Sequence, residues 1–148
     1  MRKLGVVLIA LAAGMLTTGA PAVAKKTTTK KSATKKTISV HLSGKQEVPK
    51  GSPKGKGTAK LTLDSSKGQV CYTLTWSGIK TPTASHIHQG KKGTSGAIVI
   101  PLFTTAAKHS GCVSAKKSLV AAIIKKPSGY YVNVHTKDYP GGAIRAQL

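Results

Sequence analysis

The sequence predicts an all-β protein, an antiparallel Greek-key β-sandwich or barrel with one short helix at about residues 116–126. Three observations carry that prediction. Apolar and polar residues alternate along seven or eight short segments, the period of a half-buried strand. Clusters rich in Gly, Pro, Ser and Lys separate the segments. Only one stretch, with Leu119, Val120, Ile123 and Ile124, repeats at helical spacing.

The elements follow in order. Residues 1–24 read as a secretory signal: Arg2 and Lys3 are basic, residues 4–16 are apolar apart from two glycines, and Ala22-Val23-Ala24 has the small-x-small cleavage pattern. As a membrane anchor this run is short, since a span needs about 20 apolar residues. Residues 25–37, KKTTTKKSATKKT, contain nothing larger than alanine to bury and read as a disordered linker. Residues 38–148 form the folded domain.

Ile38, Val40 and Leu42 alternate with Ser39 and His41. Residues 44–57, holding Glu47 and Pro49, read as an exposed loop. Ala59, Leu61 and Leu63 form one face of a second strand. Residues 64–68 make a turn in which Gly68 is free to take positive φ. Val70, Tyr72, Leu74 and Trp76 give the strongest strand, with its bulky face in the core. His86 and His88 lie on a strand that leaves through a glycine-bounded turn, 90–96. The apolar run 97–103 suggests burial on both faces, while Pro101 marks a strand end, edge or bulge. Ser118 or Ser114 is positioned to cap the helix, and Pro127-Ser128-Gly129 stops it. Tyr130, Val132 and Val134 share one strand face; Tyr131, Asn133 and His135 share the other. After the turn 137–142, Ile144, Ala146 and Leu148 alternate with Arg145 and Gln147.

The formal net charge is +21; without Arg2 and Lys3, 22 Lys and Arg face three carboxylates, Glu47, Asp64 and Asp138, a net +19. Such a charge favours anionic partners. Export points to an anionic envelope polymer or membrane surface, reached through the lysines from Lys25 to Lys36, or to a linker that only solubilises. The basic residues are almost all lysines with few aromatics among them, so no base-stacking platform for specific nucleic-acid binding is visible. Three separated carboxylates offer no acid–base pair, and no serine sits in a nucleophile elbow. No catalytic residue is assigned.

Cys71 and Cys112 are the two cysteines. An oxidising compartment favours their pairing. The bond closes a 41-residue loop, worth on the order of 4 kcal/mol as an upper figure. Neither has a cysteine at short spacing, against a zinc knuckle.

His86 and His88 project from one strand face about 7 Å apart. His135 lies on another strand. Three neutral imidazoles on neighbouring strands make a candidate metal site for copper or zinc. If the three are ligands, their ring nitrogens converge within about 4 Å of one another. The alternative is a polar cluster in which the rings bond to backbone carbonyls and to Thr136 or Asn133. Arg145 is a candidate anion contact near the histidines, or else a solvent-facing arginine or one paired with Asp138.

Cys71-Tyr72-Thr73-Leu74, His86-Ile87-His88-Gln89-Gly90, Gly96-Ala97-Ile98-Val99, the run from Gly129 through Tyr130-Tyr131-Val132-Asn133-Val134-His135 to Thr136, and the run from Tyr139 through Pro140-Gly141-Gly142-Ala143-Ile144-Arg145-Ala146-Gln147 to Leu148 together resemble the CHRD (chordin-type) domain. The resemblance covers residues 38–148, with Ala146 where the family usually has Gly. It implies a β-sandwich module. In animals the domain occurs in a secreted antagonist of bone morphogenetic proteins; bacterial members are short exported proteins. The signal and single domain here match the bacterial kind. The HxH strand followed by Asn133-x-His135-Thr136 is also similar to the arrangement in copper–zinc superoxide dismutase, although only His41, His109 and Asp138 remain as further ligands. The resulting expectation is a secreted, non-catalytic binding or structural module of the cell envelope, with metal binding by His86, His88 and His135 as the alternative.

Overall fold

A computed structural model describes residues 33–105 and 107–148. The expected signal and residues 25–32 of the expected linker lie outside them.

Eight strands form one antiparallel sheet: β1 (Lys35–Ser43), β2 (Lys56–Asp64), β3 (Gln69–Ser77), β4 (Pro82–Gln89), β5 (Ile98–Phe103), β6 (Ser110–Ser114), β7 (Tyr130–Thr136) and β8 (Ile144–Gln147). Their order is β5-β4-β7-β8-β1-β2-β3-β6. The sheet curls into a nearly closed barrel, with β5 and β6 in contact at its two ends. Of the two expected forms, the barrel is the one adopted.

The period-two pattern explains the core. Leu61, Leu63, Val70, Leu74, Ile87, Val132, Val134 and Ile144 are all essentially inaccessible and share one cluster. Helix α1 (Lys117–Lys125) adds Val120, Ile123 and Ile124 and packs against β2 and β3. Neither expected serine caps it. The N-cap is Lys116, without a side-chain cap bond; Ser114 pairs with Gln69 in the sheet. In the turn after β2, Asp64 Oδ1 accepts from the Ser66 hydroxyl and from the Ser66 and Lys67 amides. Gly68 there takes φ +65°, a conformation that favours glycine.

Three expectations are corrected. First, β1 begins at Lys35, three residues inside the expected linker. Its pairing of Lys35 with Asp64 and Thr37 with Thr62 uses backbone groups and needs no apolar side chain. Second, β5 is not buried on both faces: Ile98 and Pro101 are exposed. It is an edge strand, as Pro101 alone suggested. Third, the loop after β1 is not wholly exposed. Gly44, Glu47, Ser52 and Gly55 are buried in it, and Ser52 N–H donates to Ala143 O at 2.9 Å.

That loop explains the most unusual strand. All seven residues of β7 are buried. Tyr130, Val132 and Val134 belong to the hydrophobic core. Tyr131, Asn133 and His135 point the other way, to a face covered by the loop after β1 and the turn after β4. Cys71 and Cys112 are directly opposite across β3 and β6 and form the expected disulfide, tying the edge strand β6 to the sheet.

Candidate metal site

The outer face of β4, β7 and β8 carries the histidines. In the β4–β7 ladder His86 is opposite Asn133, His88 opposite Tyr131 and Ala84 opposite His135. His135 is therefore diagonal to His86, close enough for long side chains to meet. His86 Nδ1 lies 3.1 Å from His135 Nε2. One nitrogen from each of the three rings lies within 4.8 Å of the others. The expected span is about 4 Å, so the widest pair must close by less than about 1 Å to share an ion.

Backbone carbonyls set the tautomers. His88 Nδ1 is 2.9 Å from Gly96 O, and His135 Nδ1 is 2.9 Å from Pro140 O. A carbonyl only accepts, so both Nδ1 atoms carry hydrogen and both Nε2 atoms carry a lone pair when the rings are neutral. His88 Nε2 is buried without a hydrogen-bond partner. Such carbonyl anchoring of Nδ1 is how metal-binding histidines are commonly held.

Two of the rings are held neutral. Burial, then the neighbouring His135 and His88, push His86 down to about 4. Burial likewise lowers His135, against the Pro140 carbonyl that raises it. His86 is half-buried and His135 is buried, so desolvation disfavours a proton added to either ring.

A second group braces the site. The Arg145 guanidinium carbon is 3.3 Å from the Tyr131 ring centre. The His88 ring stacks on Tyr131 at 4.7 Å and 8°. One ring face cannot hold both, so Tyr131 is sandwiched. Its hydroxyl accepts from Gly96 N–H at 3.1 Å, in the residue whose carbonyl holds His88. Arg145 and Gln147 donate to the carbonyls of Lys91 and Gly90. Ser95 donates to Val48 O, joining the two covering loops.

Glu47 lies buried among these residues. Desolvation raises it to about 7, against Arg145, the Val48 amide and the Asn133 side chain, which favour its ionised form. Its carboxyl occupies the space that a side chain on Gly142 would take, and Gly142 has φ +138°. Only glycine suits that position.

The structure brings His86, His88 and His135 together on one surface, and the carbonyl-bonded alternative is also present: two rings use carbonyls, and His135 Nε2 lies 3.0 Å from Asn133 Oδ1. Thr136 instead accepts from Tyr139 N–H. Arg145 is neither solvent-facing nor paired with Asp138. It is 2% exposed, its opposite charge is Glu47, and Asp138 pairs with Lys80 at 3.0 Å. The further dismutase-like ligands do not gather: His41 is exposed, and His109 stacks on Trp76 at 4.0 Å. Sequence reasoning missed Glu47, because a glycine- and lysine-rich loop carries no burial signal, and the bracing role of Tyr131. The alternation that put Tyr131, Asn133 and His135 on one face was the available clue.

A family model described as the CHRD domain matches residues 38–148. No curated protein and no solved structure matches the chain.

Proposed function

The chain belongs to the CHRD domain family, and on that footing we propose that it is an exported, non-catalytic binding module whose ligand is a transition-metal ion, copper or zinc, held by His86, His88 and His135. The observation that carries this reading is the buried, unpartnered Nε2 of His88. Its lone pair is fixed by the Nδ1–Gly96 bond in a ring that converges with two others. Leaving such an acceptor dry costs about 1–3 kcal/mol, and a cation at the centre of the cluster satisfies it. Imidazole nitrogen suits both copper and zinc. The disulfide agrees with an oxidising compartment.

The test is equilibrium dialysis of the folded protein against copper or zinc, followed by elemental analysis. One ion per chain is expected, and none in the His86→Ala/His135→Ala variant. A folded wild-type protein that retains no stoichiometric metal refutes the reading.

Charge supports a second, independent contact with an anionic envelope polymer or membrane surface through the lysines from Lys25 to Lys36. The three carboxylates offset little of it: Glu47 is buried, Asp138 is paired with Lys80, and Asp64 is engaged by its turn. Deleting residues 25–32, which leaves β1 whole, is expected to weaken binding to an anionic polymer at physiological salt. Unchanged binding excludes tethering by this segment.

A further inference from the structure

Asn133 stands opposite His86 and two residues before His135 on the same face of β7. Its Oδ1 is 3.0 Å from His135 Nε2. Its side chain favours the ionised form of the buried Glu47 carboxyl. The amide oxygen thus directs a lone pair toward the imidazole.

That oxygen faces another acceptor. His135 already gives its Nδ1 hydrogen to Pro140 O, so a neutral ring presents a lone pair at Nε2. A hydrogen on His86 Nδ1, 3.1 Å away, occupies the His135 lone pair but gives nothing to Oδ1; the two acceptors at 3.0 Å repel unless a positive centre lies beside both. A second proton on His135 would provide one, but its hydrogen-bond partners, Pro140 O, Asn133 and His86, include no carboxylate to offset a buried imidazolium. A metal ion provides it directly. Donor atoms sharing one tetrahedral ion at about 2.0–2.2 Å lie roughly 3.3 Å apart. The Oδ1–Nε2 distance of 3.0 Å and the His135–His86 distance of 3.1 Å are close to that spacing.

We propose that Asn133 Oδ1 is the fourth donor of the His86, His88 and His135 site, which closes it around a transition-metal cation with three nitrogens and one oxygen. This rests on the metal-binding reading above. The four donors are three imidazole nitrogens and one amide oxygen. A site with four protein donors has no open position for water or substrate, so it stores or senses an ion rather than activating a reactant.

Co²⁺ is the probe, because its visible absorption reports coordination number. Wild type, Asn133→Ala, Asn133→Asp and His88→Ala are each titrated with Co²⁺, then with azide. Wild type is expected to give a four-coordinate spectrum that azide leaves unchanged. Asn133→Ala is expected to bind about tenfold or more weakly, with a spectrum that azide shifts, because a fourth position has opened. Asn133→Asp is expected to restore both the affinity and the resistance to azide. Azide shifting the wild-type spectrum, or Asn133→Ala matching wild type in affinity and spectrum, overturns the proposal while leaving the three histidines in place as ligands. No Co²⁺ binding by wild type overturns the metal reading itself. Circular dichroism verifies folding; should the alanine variant fail it, the wild-type azide titration and the aspartate variant decide.

Discussion

Arg145 and Tyr131 are both buried, with the guanidinium carbon 3.3 Å from the ring centre. This contact turns a terminal strand into a brace, because the other face of the ring carries His88 and the guanidinium holds the Lys91 carbonyl. Replacing Arg145 with Met keeps volume but strands Glu47 without its counter-charge. The expected cost is about 1–3 kcal/mol in urea denaturation at pH 8, the range for leaving buried polar groups without their partner. Lys is not expected to rescue it, because an ammonium lacks the planar stacking surface. Stability within about 0.5 kcal/mol of wild type would show that the brace carries no load.

The pH dependence of stability isolates Glu47. Its native value is about 7 against an ordinary 4.5, so between those values the native state holds a proton that the unfolded chain has lost. Stability from this group is full below about pH 4.5 and is lost as pH rises through 7, by about 3 kcal/mol at most. Glu47→Gln does not titrate and is expected to lose that decline. His86, lowered to about 4, acts in the opposite sense: its contribution is lost as pH falls below about 6.5. Because it is present in both proteins, the difference between their urea-denaturation curves at pH 4.5, 6 and 8 reports Glu47 alone. Parallel pH profiles would contradict its burial.

Much of this arrangement was legible in the sequence. Alternation located the core strands and separated Tyr131, Asn133 and His135 from Val132 and Val134, because side-chain direction in a strand follows position alone. The pairing of Cys71 with Cys112 followed from export chemistry. What alternation does not encode is which face a loop later covers. A solvent-facing Arg145 was one open alternative because polar residues opposite a core face usually are; its burial depends on the loops carrying Glu47 and Lys91, whose composition looks wet. The start of β1 was misplaced for a related reason, since backbone pairing leaves no mark in a run of Lys and Thr.

The disulfide stands apart from the site. Cys71 and Cys112 join β3 to β6, neither of which carries a histidine of the site. The Cys71→Ala/Cys112→Ala variant is expected to lose about 2–4 kcal/mol while keeping the metal stoichiometry of wild type. A folded variant that no longer binds metal would tie the edge strand to the histidines.

The central claim, that backbone carbonyls preset histidine lone pairs for a shared ion, is tested most directly by nitrogen NMR of the imidazole rings. In apo protein, the neutral rings of His88 and His135 are predicted to carry their hydrogen on Nδ1. On adding one equivalent of Zn²⁺, the resonances of His86, His88 and His135 are predicted to shift together and saturate, with His41 and His109 unchanged. Rings protonated at Nε2, or site histidines whose signals do not move with Zn²⁺, would contradict the account.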